Sequence, residues 1–105
     1  MANQIRTAEH RRHARHPITG KVRVLWDPGD GESRICLAEL VEVSESGLRI
    51  RVDTAITPRS YVTINHRESG IMGRGSVRFC RFIKGKYSVG LEFVGGTGWH
   101  PPEAA

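Results

Sequence analysis

The feature that most constrains the fold is a two-residue period in side-chain polarity, which recurs in short segments. In residues 21–26 the apolar Val22, Val24 and Trp26 fall on one face, with Lys21, Arg23 and Leu25 opposite. Residues 48–52 alternate between aliphatic residues and arginine. Side chains of a β-strand point to its two faces in turn, so each segment predicts a strand with one core face. Further segments of strand type lie between turn signals at 33–43, 61–66, 71–83 and 87–93.

Six short strands without a helical segment indicate an all-β fold, either an antiparallel barrel or a compact sandwich. In the second strand the apolar phase slips between Leu37 and Val41. Such a slip is typical of the bulge or bend that barrels require. We therefore expect a small six-stranded antiparallel barrel. Its domain limits are predicted as a flexible basic N-terminal arm at 1–20, the barrel at 21–94 and a short C-terminal tail at 95–105.

The predicted arm carries a dense cationic run that cannot join a core. Residues 10–16 contain three arginines and three histidines, and their only apolar side chain is that of Ala14. Charged blocks of this kind stay solvated and often act as interaction arms. The whole chain of 105 residues has a formal net charge of +5, which favours anionic partners.

Several classes of function are not expected. His10, His13 and His16 recur at every third position, but no carboxylate or thiol cluster completes a metal site. No nucleophile–base pair or pair of catalytic carboxylates is recognisable, so we expect no enzyme activity and no cofactor. Cys36 and Cys80 lie in strand-like segments and are expected to be buried, reduced thiols. We expect a cytoplasmic protein, because neither a membrane-spanning segment nor a signal peptide is found.

Two short patterns carry the chemistry. The first places Arg11 and Arg15 four residues apart in the arm, and the second is Glu42-Val43-Ser44-Glu45-Ser46-Gly47, between two predicted strands. Together they resemble the PilZ domain, a bacterial receptor for cyclic di-GMP. That family has Arg-x-x-x-Arg in an N-terminal arm, and then Asp or Asn-x-Ser-x-x-Gly after the second strand. The segment 87–93 is also similar to the last strand of the family, and the resemblance covers about residues 9–94.

The resemblance implies that the chain binds cyclic di-GMP. Guanine presents N7 and O6 as adjacent acceptors, which a guanidinium meets with two parallel hydrogen bonds. Arg11 and Arg15 are expected to approach the ligand from one side, and Arg12 to take a phosphate. Ser44 is expected to donate to a phosphate oxygen, and Gly47 to permit a positive φ that lets the backbone come close. Accessory roles are open to three further residues: His10, Arg49 and Arg51.

The sequence departs from the family pattern at Glu42, where the family usually has Asp or Asn. Glutamate keeps the carboxylate and adds one methylene, so it reaches the guanine donors from a shifted position or misses them. A lost charge-assisted hydrogen bond costs about 1.5–3 kcal/mol. The departure therefore bears on the strength of binding more than on its kind.

Three functions remain open. The favoured one is a receptor whose arm folds across the barrel on binding cyclic di-GMP and thereby signals to a partner protein. The second is an adaptor that keeps the barrel for protein contacts and binds the nucleotide weakly or not at all. The least favoured is a single-stranded nucleic-acid binder built on Arg78, Phe79, Arg81 and Phe82. Strict alternation places the two phenylalanines on opposite faces, so nucleic acid is not the expected partner, and a membrane is not expected either.

Overall fold

The computed structural model describes residues 14–99, with the backbone alone described for Gly96 and Thr97. One 3₁₀ turn, Arg67–Ser69, interrupts a chain of strands, and no α-helix lies within this range. The strands in chain order are β1 (His16–Pro17), β2 (Lys21–Asp27), β3 (Arg34–Val43), β4 (Gly47–Val52), β5 (Tyr61–His66), β6 (Ile71–Ile83) and β7 (Lys86–Gly98).

Six of these strands close into an antiparallel barrel, which confirms the predicted fold class. Neighbouring strands follow the order β3-β2-β5-β6-β7-β4, and β4 pairs back onto β3 to complete the circle. The short strand β1 is a seventh element, paired with the C-terminal end of β3. Closure leaves the six barrel strands without a free edge, so the outward side chains form the surface available to partners.

The barrel interior is filled by the residues that the two-residue period assigns to it. Along β2 every second residue is buried, and the same holds for β4. Burial of one such valine, leucine or isoleucine side chain contributes about 1.5–3 kcal/mol. At one end of the barrel the indole Nε1 of Trp26 donates to Ser60 Oγ at 3.0 Å. The largest fully buried side chains are Val24, Val43, Ile50, Val52, Ile56, Val62, Ile71, Val77 and Val89.

Bulges bend the two longest pairings. The predicted slip in β3 is present, but the register shifts between Leu40 and Glu42, nearer the end of the strand than the interval expected from sequence. In β6 the register against β7 shifts between Met72 and Arg74, and again between Val77 and Phe79. A bulge turns the following side chains relative to the partner strand, so the second shift determines where Phe79 lies.

The first barrel strand begins at the predicted Lys21, but one short strand lies within the predicted arm and β7 runs beyond the predicted end of the barrel. His16–Pro17, expected within a flexible arm, pairs with β3, whereas residues 1–13 of that arm lie outside the described range. The last strand continues to Gly98, four residues beyond the predicted limit at 94. The glycine-rich C-terminal end of β7 can still pair with β6, because backbone hydrogen bonds do not need side chains. Trp99 is buried, and its Nε1 donates to the carbonyl of Ser69 at 2.8 Å.

The cysteines are free, as expected, and are half-buried instead of fully buried. Partial burial raises the pKa of the Cys36 thiol, which keeps it protonated. The Cys80 sulfur accepts a hydrogen bond from the backbone N–H of Ile56 at 3.4 Å. Between residues 14 and 99, no helix is long and apolar enough to span a bilayer.

Candidate ligand-binding site

The turn between β3 and β4 is organised by the hydroxyl of Ser44. Its Oγ accepts hydrogen bonds from the backbone N–H groups of Ser46 and Gly47, each at 3.2 Å. The carbonyl of Ser46 accepts from the N–H of Phe93 at 2.9 Å, which fixes the turn to β7. We call the turn 44–47 the corner. Its backbone is therefore held by hydrogen bonds to the Ser44 hydroxyl and to β7.

Gly47 has a different role from the expected one. Its φ is not positive, so the predicted left-handed conformation is wrong. A Cβ at this position would instead overlap the carbonyl oxygen of Leu91 on β7. Glycine is therefore required by the close approach of two backbones and not by the shape of the turn.

Strand β1 brings the arm to the corner. His16 pairs with Val43 and Pro17 pairs with Glu42, so the residue before β1, Arg15, lies beside the end of β3. Its Nη1 is 3.4 Å from Glu42 Oε2. Although 27 positions separate these residues in the sequence, the strand pairing makes them neighbours.

A second guanidinium reaches the same carboxylate from the barrel wall. Arg49 Nη2 is 3.5 Å from Glu42 Oε1, so Glu42 lies between two arginines. The Nε–H of Arg49 is buried and has no hydrogen-bond partner within the described range. An unsatisfied buried donor costs about 1–3 kcal/mol, and an acceptor supplied by a ligand would remove that cost.

The strand register sets four side-chain positions in a row across the outer wall. Glu42 on β3 pairs with Arg49 on β4, Arg49 pairs with Gly90 on β7, and Gly90 pairs with Phe79 on β6. A Cβ on Gly90 would overlap the ring of Phe79, which therefore lies directly on this glycine. The row therefore presents a carboxylate, a guanidinium and an aromatic ring that covers the glycine.

These elements line one open cavity of about 440 Å³. Pockets for small ligands are commonly about 300–1,000 Å³. Three arginines and two glutamates lie at its wall, and Arg78 forms an ion pair of 3.1 Å with Glu92 on the side away from Glu42. The lining comprises Arg15, Glu42, Val43, Ser44, Ser46, Gly47, Leu48, Arg49, Arg78, Phe79, Gly90, Leu91 and Glu92.

Most of the predicted site residues that the structure describes meet at this cavity. They are Arg15, Glu42, Ser44, Gly47 and the accessory Arg49. Arg51, the other accessory candidate on β4, lies elsewhere: it is 3.8 Å from Glu39 and lines a second cavity of about 270 Å³. Three predicted residues, His10, Arg11 and Arg12, lie outside the described range.

Among the cavity residues that were not predicted as members of this site, Ser46, Arg78 and Phe79 offer polar, charged or aromatic side chains to a ligand. The serine hydroxyls of the corner are 3.1 Å apart, so Ser46 extends the polar edge that Ser44 begins. Arg78 and Phe79 were recognised in the sequence only as parts of a nucleic-acid-binding pattern. The signal that would have found Phe79 is Gly90, because a glycine in a central strand often marks a close approach.

The basic aromatic stretch of β6 is divided between two surfaces. Phe79 lines the cavity and has the Arg81 guanidinium 5.0 Å from its ring centroid. Phe82 lies on the opposite side of the strand and packs edge-on against Tyr87 at 5.0 Å. The two rings do not form one stacking surface, as strict alternation indicated.

Within residues 14–99, no group of three or more His, Cys, Asp or Glu side chains is placed to hold a metal ion. Comparison with known proteins adds no assignment: no protein-family model matches the chain, and no curated protein matches its sequence.

Proposed function

We propose that the chain is a cytoplasmic cyclic di-GMP receptor of the PilZ type, without catalytic activity, that signals to a partner protein. The observation that carries this proposal is the meeting of two distant sequence patterns at one cavity. Arg15 from the arm pattern and Glu42, Ser44 and Gly47 from the corner pattern all line it. The pairing of β1 with β3 holds Arg15 at this cavity.

The chemistry of the cavity matches a ligand with two guanines and two phosphates. Guanidinium groups suit both the N7 and O6 edge of guanine and the phosphate oxygens. Arg15 and Arg49 both lie on the cavity, and the buried N–H of Arg49 needs an acceptor. We propose that ligand oxygens accept hydrogen bonds from the N–H groups of these two arginines, which now face Glu42.

The length of chain that joins the remaining arm arginines to Arg15 allows them to take part. Four residues of extended chain span at most about 14 Å, so Arg11 is never farther than that from the backbone of Arg15. Arg12 lies one residue closer. We propose that both contribute to phosphate binding and that ligand charge favours closure of the arm onto the corner. The closed arm is the changed surface that a partner protein would recognise.

Phe79 is the natural contact for one guanine base. Its ring lies at the cavity wall over Gly90, in the same cross-strand row as Arg49. Stacking of a base on an aromatic side chain contributes about 1–3 kcal/mol. The base would lie between the ring and the corner, with its polar edge towards the arginines.

Calorimetric titration with cyclic di-GMP at fixed salt tests the proposal. We expect micromolar or tighter binding that weakens at least tenfold in Arg15→Ala and in Ser44→Ala. The matched control is Arg67→Ala, an exposed arginine on the 3₁₀ turn that does not line the cavity. Absence of binding at millimolar nucleotide, or equal losses in all three variants, contradicts the proposal.

One observation favours the adaptor as a second candidate. Glu42 already has two arginine partners, at 3.4 and 3.5 Å, so part of the cationic surface is neutralised by the protein itself. If the nucleotide gives no heat while the purified chain is folded, the adaptor is the better description.

A mixed-sequence oligonucleotide in the same titration tests the third function, which requires a length-dependent, salt-sensitive signal.

A further inference from the structure

A second surface of the barrel lies away from the cavity, on the outer side of β2 and β3. Leu25 and Ile35 are direct cross-strand partners, and Leu37 follows Ile35 on the same face of β3. They are 42%, 71% and 57% exposed, respectively. We call these three residues the aliphatic face.

The aliphatic face is unusual because it occupies outward positions of a closed barrel. The inward positions of β2 are already filled by Val22, Val24 and Trp26, so these aliphatic side chains add nothing to the core. Single exposed apolar residues are common, but adjacent ones often mark an interaction surface. Diagonal cross-strand neighbours lie about 7–8 Å apart or less, so the three side chains are contiguous.

Two cations continue the same face along β2. Lys21 and Arg23 are exposed, occupy the outward positions before Leu25, and make no ion pair within residues 14–99. The register places Arg23 opposite Leu37 and Lys21 opposite Glu39. Glu39, however, lies 3.3 Å from Lys86 and 3.8 Å from Arg51, which neutralise its charge. The two cations on β2 therefore have no compensating carboxylate among these neighbours.

We propose that this surface binds an acidic segment of a partner protein, with leucine or isoleucine side chains on the aliphatic face and carboxylates on Lys21 and Arg23. Charge complementarity selects this occupant. An apolar segment without acidic residues would leave the two cations unpaired, and a basic segment would be repelled by them. The proposal concerns a surface separate from the cavity and does not depend on the identity of the nucleotide.

The spacing on β2 defines the partner further. Alternate residues of a strand are about 6.8 Å apart, so a carboxylate bound to Arg23 lies about that far from a side chain packed on Leu25. Positions two apart in an extended segment, or one turn apart in a helix, meet this distance. A segment that alternates aliphatic and acidic residues along one face therefore fits.

Two other occupants are less well matched. A second copy of the chain would bring two surfaces carrying uncompensated lysine and arginine together, and the chain already has a formal net charge of +5. A lipid bilayer is best entered by apolar side chains at a projecting tip, whereas Leu25 and Ile35 lie along strands in the barrel wall. Sedimentation tests the second copy, and vesicle binding tests the bilayer.

The probe is a fluorescent synthetic helix of about 15 residues, with leucines along one face and glutamates beside them. Its control replaces every glutamate with lysine. We expect the acidic peptide to bind the full chain, by fluorescence anisotropy, at least tenfold more tightly than the lysine peptide. Ile35→Ser and Leu37→Ser should each weaken that binding at least fivefold, which corresponds to about 1 kcal/mol for a central interface contact. Arg23→Glu should weaken it further.

The matched control is Met72→Ser, which replaces a 54% exposed apolar residue on β6 and should leave binding unchanged. Thermal unfolding of every variant reports whether it is folded. Equal binding of both peptides, no binding at millimolar peptide, or equal losses in Met72→Ser overturns the proposal. So does sedimentation showing a dimer that Leu37→Ser dissolves, or binding to phosphatidylglycerol vesicles that Leu37→Ser abolishes.

Discussion

The outer wall of the barrel contains two surfaces that use outward strand positions in opposite ways. At the cavity, Glu42, Arg49, Arg78 and Glu92 are joined in ion pairs across neighbouring strands. On the aliphatic face, the outward side chains carry no hydrogen-bond donor or acceptor. A small polar ligand needs donors and acceptors at fixed positions, whereas a macromolecular partner gains from exposed apolar area. The contrast supports the proposal of a small-molecule site at the cavity and of a protein-binding surface on the aliphatic face.

Strand β3 belongs to both surfaces. Its N-terminal half presents Ile35 and Leu37, and its C-terminal end presents Glu42 beyond the bulge. The register shift between Leu40 and Glu42 changes which side chains face outward, so one strand serves two different surfaces. The two surfaces lie close together along β3, but each is completed by different neighbouring strands.

The largest expected effect comes from Gly47→Ala, because the cavity depends on a backbone contact that tolerates no side chain. The new Cβ would overlap the Leu91 carbonyl oxygen. Forcing β4 and β7 apart should lower the free energy of unfolding by about 1–3 kcal/mol and remove nucleotide binding. Urea unfolding and calorimetry measure the two effects.

The matched control for this change is Gly98→Ala at the end of β7. A Cβ there meets no atom within 4 Å, and its φ is not in the left-handed region. We expect a change below about 0.5 kcal/mol. If Gly47→Ala is equally harmless, the corner is not rigidly seated on β7 and the contrast between the two surfaces is weakened.

Phe79→Ala is expected to have the next largest effect. If Phe79 stacks on a guanine, its loss should weaken cyclic di-GMP binding by about 1–3 kcal/mol, or roughly 5- to 150-fold. Phe82→Ala is the control, since Phe82 is an aromatic residue of the same strand that faces away from the cavity. Equal affinities of the two variants would remove Phe79 from the ligand site.

Much of the barrel could be predicted from the sequence because its interior follows a strict two-residue period. Strands β5 and β6 have the predicted limits, and β4 begins only one residue early. Strand β1 was missed because two residues are too few to show any period. The end of β7 was missed because its glycines form backbone hydrogen bonds without a side-chain pattern.

The candidate site was predictable only in part. Arg15, Glu42 and Ser44 belong to local patterns that resemble a known family, so they were identified before any strand pairing was known. Phe79 depends on a register shift in β6 and on a bare glycine in β7. The roles of Arg49 and Arg51 were equally open in the sequence. Only the pairing with β3, which places Arg49 opposite Glu42 and Arg51 opposite Glu39, distinguishes them.

We expect the barrel to tolerate substitutions on the aliphatic face better than substitutions at the cavity. Ile35→Ser removes a side chain that is 71% exposed, so it should lower the free energy of unfolding by less than about 1 kcal/mol. Nucleotide affinity should be unchanged. The same replacement at Ile50, which is fully buried, is the contrasting control and should unfold the barrel or destabilise it severely. A large loss for Ile35→Ser would mean that the aliphatic face supports the fold and is not reserved for a partner.

The smallest expected effect, Glu42→Asp, tests how the cavity uses its carboxylate. Aspartate keeps the charge and withdraws it by one methylene from Arg15 and Arg49, which now lie 3.4 and 3.5 Å away. If Glu42 faces the guanine, calorimetry should show nucleotide affinity that holds within about threefold or rises, because the two guanidiniums are released towards the ligand. A clear loss would mean that the longer side chain is adapted to this site. Glu39→Asp is the matched control, because Glu39 also lies on β3 beside two cations but does not line the cavity, and this change should leave affinity unchanged.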